Sequence, residues 1–336
     1  MKGKITTCLI LTGLLIYFGF TPELVWAKEK YEDQLEKTVS LSKEGQVTLH
    51  NIAGNIEVKT WNKNEVLIKA LKVSKADSME EAKENADLVK IEITEGGDRV
   101  EIRTEYPKNR SRKRSISVSV DYWLTIPDQA DADINSVSGD IMMMKIGGNA
   151  DAQTVSGDVN LSETMGLLRA KSTSGDVTVD KASNGADCTS VSGDLDIHDV
   201  AGDADLKSVS GDISLLNLRG GDVDAETVSG DIDLEGVSDA LEVEASSVSG
   251  EIEYTGTINP QGRYYLKSHS GEITVLIPGN SAFDLEAKTF SGGINSDFEI
   301  TMSGSISAKE ISGAVNGGGA RLELKTFSGD VILRKR

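Results

Sequence analysis

The chain has 336 residues, with 35 lysines and arginines against 54 aspartates and glutamates, for a formal net charge of −19. An acid excess of that size repels nucleic acid and anionic membrane as a whole, so nucleic-acid binding is set aside. The 34 glycines and scarce aromatics would suit a disordered chain, but the glycines recur at regular spacing, which argues for a folded repeat.

Residues 1–27 read as a signal peptide. Lys2 and Lys4 form a basic start, Ile5 to Phe20 is mostly apolar, and Val25-Trp26-Ala27 fits a small-residue cleavage site before Lys28. The apolar stretch is short for a spanning helix of about 20 residues, so cleavage is expected rather than retention as an anchor. Cys8 lies too early for lipoprotein attachment, and no later segment is apolar enough to span a bilayer. The mature chain is then secreted, carries a net charge of about −20 by this count, and keeps Cys188 as its one cysteine. Disulfides are therefore not what holds this exported protein together.

Residues 28–43 are polar and charged and read as a loose lead-in. Residues 44–129 read as a β-rich N-terminal cap. Val47, Leu49, Ile56 and Val58 alternate around Ala53-Gly54-Asn55-Ile56, and Val66–Val73 continues as strand. Asp77 or Ser78 can cap a short helix near Met79–Val89, with Glu80 and Glu81 in its first turn and Met79, Ala82, Ala86 and Val89 on one side. Such a helix would cover the open end of a repeat stack. Strand patterns resume at Lys90–Thr94, Arg99–Glu105 and Ser115–Ile126, the first two joined by a turn at Gly96-Gly97-Asp98.

From about residue 130 to 336 the chain repeats one phrase, S-x-S-G-D-(I/V/L), with its glycines at Gly139, Gly157, Gly175, Gly193, Gly211, Gly230, Gly250, Gly271, Gly292, Gly313 and Gly329. Spacings of 18 residues, lengthening to 21, are the mark of a solenoid whose coils stack one on the next. Aligned on the glycine, positions two and four residues later are aliphatic (Ile141 and Met143, Val159 and Leu161, Val177 and Val179), and the column of Ala152, Ala170, Cys188 and Leu206 is small or apolar. Alternation places these columns inside. The expected fold is all-β: a parallel β-solenoid of about 18–21-residue coils, two short strands per coil, with an N-terminal β-rich cap containing one short helix. The hexapeptide pattern of a triangular left-handed helix is absent, since Gly147 and Gln153 stand six and twelve residues beyond Ile141.

The phrases SVSGDI and TVSGDV, on parallel coils behind a signal peptide, resemble a bacterial putative-adhesin family of β-strand-repeat envelope proteins, a domain of unknown function. Asn51–Ile56, the helix followed by Val100–Tyr106, and Tyr122–Pro127 are similar to that family's lead-in. The resemblance implies a cell-envelope association, with links to envelope-stress signalling, and supplies no catalytic residues.

Candidate chemistry is sparse. Asp140, Asp158, Asp176, Asp194, Asp212 and Asp231 form a column in which like charges recur about every 4.8 Å. Calcium is the functional alternative, but it takes six to eight oxygens and one carboxylate per coil is thin. Aspartates bonded to turn amides are expected instead. Ser138, Ser156, Ser174, Ser192, Ser210 and Ser229 lack the neighbouring base that a nucleophile needs, with His50, His198 and His269 scattered. Cys188 sits among alanines and reads as a buried, inert thiol. Two departures from repetition remain as candidate ligand- or partner-binding residues. One is the basic run with Lys108, Arg110, Arg112, Lys113 and Arg114. The other is Tyr254, Arg263 and Tyr264 in the lengthened coils, where a tyrosine could stack on a sugar ring. Arg334-Lys335-Arg336 is expected to guard a last open strand.

The expected function is that of an exported, non-enzymatic cell-envelope or surface protein, extracellular or periplasmic. It would act as an adhesin-like binding or scaffolding module, with no cofactor and with envelope polymers, a membrane surface or another envelope protein as partner. The alternatives are a polysaccharide-active β-helix enzyme, which needs a non-periodic acidic cluster in a groove, and a sensor or modulator of envelope stress.

Overall fold

The computed structural model describes residues 28–107, 116–302, 307 and 309–336. The signal segment, and the basic run with Lys108, Arg110, Arg112, Lys113 and Arg114, lie outside the described residues.

The repeats build two facing sheets of 14 and 15 strands. Each coil contributes one strand before its serine to one sheet and one strand after its glycine to the other. Ala150–Gln153 and Val159–Thr164, for example, form successive halves of one coil. Neighbouring coils pair in parallel and in register: Val159 stands beside Val177, and Val177 beside Leu195. The aliphatic columns are buried, with Ile141, Val159, Val177 and Leu195 all 0% exposed and the Ala152–Ala170–Cys188–Leu206 column equally closed. Side chains from both sheets thus meet in one continuous core running the length of the stack. The described residues form twelve parallel layers, and at about 4.8 Å from one to the next the rod is roughly 50 Å long.

The solenoid begins earlier than the repeat phrase suggests. Gln46–His50 and Ile56–Trp61 form a full coil, parallel and in register with the coil of Asp131–Asn135 and Ile141–Met144. Gly54 is its corner glycine, since a Cβ on Gly139 would lie 2.2 Å from the Gly54 carbonyl. On the other side of that coil stand Arg99–Glu105 and Ser117–Pro127, again parallel. The cap proper is what lies outside these. Glu65–Ala76 and Lys90–Gly96 pair antiparallel to them. Glu29–Ser40 pairs antiparallel to Glu65–Ala76 over twelve residue pairs. The expected loose lead-in is therefore an edge strand. Its alternating charges (EKYEDQLEKTVS) make a poor template for further pairing.

The helix spans Met79–Leu88, and Ser78 caps it, its Oγ accepting the Glu81 N–H at 3.2 Å. It packs on Glu65–Ala76 and Glu29–Ser40. Ala82 and Ala86 are buried as expected, but Met79 is 48% exposed, because at the first turn it overhangs the sheet.

The C-terminal end departs most from a simple stack. The last coil, Ala320–Ser328 and Val331–Lys335, is inserted between the coil of Arg263–Ile277 and that of Phe283–Ser296. Gly329 accordingly stacks on Gly271, and Gly292 on Gly329. Arg334-Lys335-Arg336 therefore does not guard an open edge. Arg334 pairs with Asp297 at 3.2 Å, and Lys335 lies over the Phe298 ring at 5.2 Å. Gly313, for all its S-G phrase, is not a coil corner. Glu310–Val315 runs antiparallel to Phe283–Ser291 and covers that sheet's edge.

Candidate functional site

The corner formed by S-x-S-G-D carries three parallel lines of side chains, one residue of each per coil. The innermost is hydroxyl. Thr154, Ser172, Ser190, Ser208, Thr227, Ser247 and Ser268 are buried, and each donates its side-chain O–H to the carbonyl of the previous coil's glycine at 2.9–3.4 Å. These are the first Ser/Thr of the phrase. The serines next to the glycine, Ser138, Ser156 and Ser174, instead pair through their backbones with one another. The hydroxyl ladder thus lies two residues before the serines that adjoin the glycine.

The second line is acidic and equally structural. The peptide N–H of Asp158 donates to Oδ1 of Asp140, that of Asp176 to Asp158, Asp194 to Asp176, Asp212 to Asp194, Asp231 to Asp212 and Glu251 to Asp231, at 2.7–3.0 Å. Each carboxylate therefore commits one oxygen to the next coil. Among the described residues no group of three or more His, Cys, Asp or Glu is arranged to hold a metal ion.

The third line was not anticipated. The variable residue of S-x-S-G points outward, and it is apolar in most coils. Ile52 is 39% exposed, and Val137, Val155, Val191, Val209, Val228 and Val248 are 41–48% exposed. The line continues through His269, Phe327 and Phe290, in that spatial order. His269 stacks on Phe327 with ring centroids 5.0 Å apart and planes 9° apart, and Phe290 on Phe327 at 4.7 Å and 5°. Phe290, the outermost ring, is 70% exposed. At its other end the line opens into a groove of about 460 Å³ lined by His50, Ile52, Arg103, Glu105, Tyr106 and Val137. The sequence signal for this line was present in the recurrent V of SVSGD. Valine in a strand ordinarily faces the core, so the motif alone does not reveal an outward line.

The opposite turn of the coil carries a different feature. Lys145, Glu163, Lys181, Asp199 and Asn217 all adopt left-handed backbone, with φ between 55° and 64°. Their charges alternate along the stack. The largest groove, about 790 Å³, lies here and is lined by Thr60, Asp128, Lys145, Glu163, Met165 and Lys181. The Asp180 side chain beside Lys181, helped by Glu163 and Asp199, raises the Lys181 pKa. Carboxylates and ammonium groups are mixed along this groove, with Glu44, Asp128 and Glu163 beside Lys145 and Lys181.

The tyrosine region is core. Tyr254 and Tyr264 are 1% and 2% exposed and meet edge to face, with centroids 5.8 Å apart. The Tyr254 hydroxyl donates to the Thr257 carbonyl (2.8 Å) and that of Tyr264 to the Ala240 carbonyl (2.9 Å). Burial raises both phenol pKa values. The lengthened coil wraps two large rings and supplies acceptors for their hydroxyls, so Tyr254 and Tyr264 cannot stack on a ligand. Arg263 is exposed and paired with Glu242 at 3.0 Å. Tyr265, one residue on, faces outward with Lys325 Nζ 5.7 Å from its ring centroid. Cys188 is fully buried, and burial pushes its thiol pKa up, the environment of an unreactive cysteine.

Two further carboxyls bear on enzymatic activity. Asp233 and Glu253 are register neighbours, and burial together with nearby acids raises the pKa of both. They stand on the outer face of a sheet, and neither lines either of the two grooves described above. No helix among the described residues is long and apolar enough to cross a membrane.

Solved structures with similar coils include a "putative cell adhesion protein" from Clostridium sporogenes, 10% identical, covering 92% of this chain and 100% of that one, at a TM-score of 0.23. A "putative adhesin" from Bacteroides fragilis is 11% identical over 90% of this chain and 97% of that one, at 0.34. A "putative lipid binding protein" from Parabacteroides distasonis is 14% identical over 89% and 97%, at 0.40. No curated protein matches the chain. The family model described as Toastrack DUF4097 matches twice, over residues 32–184 and 163–334, and together these cover the cap, the coils and the inserted C-terminal strands: the chain belongs to the Toastrack (DUF4097) family.

Proposed function

We propose that the protein is an exported, non-enzymatic cell-envelope or surface protein of adhesin type, which binds its partner along the apolar line of the glycine corner. The single observation that supports this is the line itself, with one outward apolar or aromatic side chain in nearly every coil along a rod of roughly 50 Å. Contiguous exposed apolar surface on that scale marks an interaction site in a soluble protein. Folding does not ask for it. Thr173 holds the same position in one coil, exposed, with its neighbours Ser174 and Ser192 in the same backbone ladder. Threonine suits a strand as well as valine does. The periodic surface also fits binding better than catalysis, because a reaction needs one place unlike the rest.

The test is a pull-down of the mature protein against peptidoglycan, anionic wall polymers and lipid vesicles, compared with a variant carrying Val191→Ser, Val209→Ser and Val228→Ser. Binding to one of these that falls in the variant, with an unchanged melting transition, supports the reading. Binding that persists undiminished removes the corner as the contact. A parallel variant with Lys108, Arg110, Arg112, Lys113 and Arg114 changed to Ala asks the same of the basic run.

A further inference from the structure

The aspartate line of the corner holds more charge than the fold needs. The ladder bond requires a side-chain oxygen, not an anion. Asn55 stands in the same line and its Oδ1 accepts the Asp140 N–H at 3.0 Å. Asn149 does the same for Leu167 at the next turn, also at 3.0 Å. Asparagine would therefore serve in every coil without placing like charges about 4.8 Å apart, an arrangement that costs stability. Yet Asp140 through Asp231 are carboxylates, exposed, in a chain whose net charge is already −19. A local rule broken repeatedly without benefit to the fold points to function. The charge stands three residues after the outward residue, which is apolar in the coils of Val137, Val155, Val191, Val209 and Val228 and Thr173 in one, so an apolar line and an acidic line run side by side along the corner.

We propose that this corner docks a cationic amphipathic helix, with its apolar side chains on the valine line and its lysines or arginines beside the aspartates. The inference rests on the binding reading above and names the partner's chemistry. Charge complementarity requires the cations, and the neighbouring valines require an apolar face. The repeat selects the secondary structure. A helix presents one face every turn of about 5.4 Å, only about 0.6 Å longer than a coil, so three or four turns stay in step with the stack. A strand presents the same face every ~6.8 Å and falls out of step after one coil. Metal is a poor neutraliser here, because each carboxylate has already committed an oxygen to the next coil.

The experiment measures binding of a short helical peptide of leucine and lysine to the full mature protein by fluorescence anisotropy, with oligolysine as the charge-only probe. The leucine–lysine peptide is expected to bind about tenfold or more tighter than oligolysine, from the apolar contact. Changing Asp158, Asp176, Asp194 and Asp212 to Asn keeps every ladder acceptor and removes four charges. It should weaken the peptide about tenfold or more at low salt and flatten the salt dependence. Changing Val155, Val191, Val209 and Val228 to Ser should weaken it comparably, and circular dichroism melts establish that both variants are folded. Equal binding of the two probes, or an Asp→Asn variant that binds like the parent, overturns the inference. If the valine variant loses its envelope target while the Asp→Asn variant keeps it, the partner is not cationic and the binding reading stands. If neither variant affects any binding, both fail. Self-association of the protein alone, seen in sedimentation and abolished by changing the five cations of 108–114 to Ala, would assign the corner to a second copy and overturn the inference as well.

Discussion

Each coil turns twice, and the two turns solve the same problem in opposite ways. At the glycine corner the backbones of successive coils approach so closely that no side chain fits. A Cβ on Gly193 would lie 2.1 Å from the Gly175 carbonyl, and one on Gly250 would lie 1.8 Å from that of Gly230. At Gly193 no left-handed φ is involved, whereas Gly54, Gly139 and Gly157 add φ values of 116°, 127° and 151° to the close approach. At the opposite turn close contact and strain occur together: a Cβ on Gly166 would lie 2.4 Å from the Gly148 carbonyl and one on Gly221 1.9 Å from that of Gly202, while Lys145, Glu163, Lys181, Asp199 and Asn217 carry side chains there at the expense of left-handed backbone. Alternating charge offsets part of that, and the Asn217 side chain donates to Asp199 at 3.0 Å. The first turn is governed by contact between coils, and the second adds strain within a coil. The first keeps its residue type in every coil, whereas the second varies its residue while keeping its φ.

Substitutions can break this contrast. The largest effect is expected at the close corner. Gly193→Ala should cost about 3 kcal/mol or more, because the methyl meets the backbone of the preceding coil at Gly175, and neither coil can retreat without disturbing its own neighbours. A urea melt measures it, and a loss below about 1 kcal/mol would mean that the coils have slack there. Next comes the hydroxyl ladder. Ser190, 1% exposed, donates to the Gly175 carbonyl at 3.1 Å, so Ser190→Ala should lose about 1 kcal/mol, whereas Ser192→Ala, at the exposed serine beside the glycine, should be near neutral. Reversed sizes would show that the wrong serine has been called structural.

The opposite turn should respond with the opposite sign. Lys181→Gly is expected to stabilise by about 0.5 kcal/mol, since relief of left-handed strain exceeds the added freedom of the unfolded chain. Destabilisation would mean that the charge alternation contributes more than the strain costs. The smallest effect is expected in the acidic line. Asp194→Asn should leave the melting transition nearly unmoved, within about 0.5 kcal/mol, because asparagine keeps the Oδ1 that accepts the Asp212 N–H at 2.8 Å. EDTA should likewise leave the transition of the parent unmoved; a drop on chelation would return calcium to the aspartates. A thiol reagent should not reach Cys188 until the stack opens.

Some of the site was legible in the residues, and the reason is repetition. An aspartate after every glycine could be read as a turn acceptor because corner geometry recurs with the phrase, and the inward columns of Val159, Val177 and Leu195 follow from alternation alone. The valine line escaped for a physical reason. In a strand a β-branched apolar residue ordinarily faces in, and only the placement of the corner shows that Val137 or Val209 falls at the point where the chain turns outward. The tyrosines misled in the reverse direction. Tyr254 and Tyr264 sit where the coils lengthen, which looks like an insertion for a ligand, yet the added residues close over the rings and accept from their hydroxyls. The strand Glu29–Ser40 was illegible because its burial is slight and its stability comes from twelve backbone pairings with residues 65–76, which leave no apolar signature.

By itself the sequence determined the coil, its period, its two strands and its core columns, because these depend on contacts between residues spaced by one repeat, and such contacts are alike in every coil. It did not determine the order of the coils at either end. Gly54 joins the stack across 85 residues, and the last coil enters between two earlier ones, although a simple stack would place it outermost. A parallel coil presents nearly the same edge to any other coil, so local sequence is indifferent to the order. Only the tertiary structure decides it, through pairings such as Arg334 with Asp297 and through the antiparallel segment Glu310–Val315 that covers the strand Phe283–Ser291 and is itself flanked by Ile300–Met302.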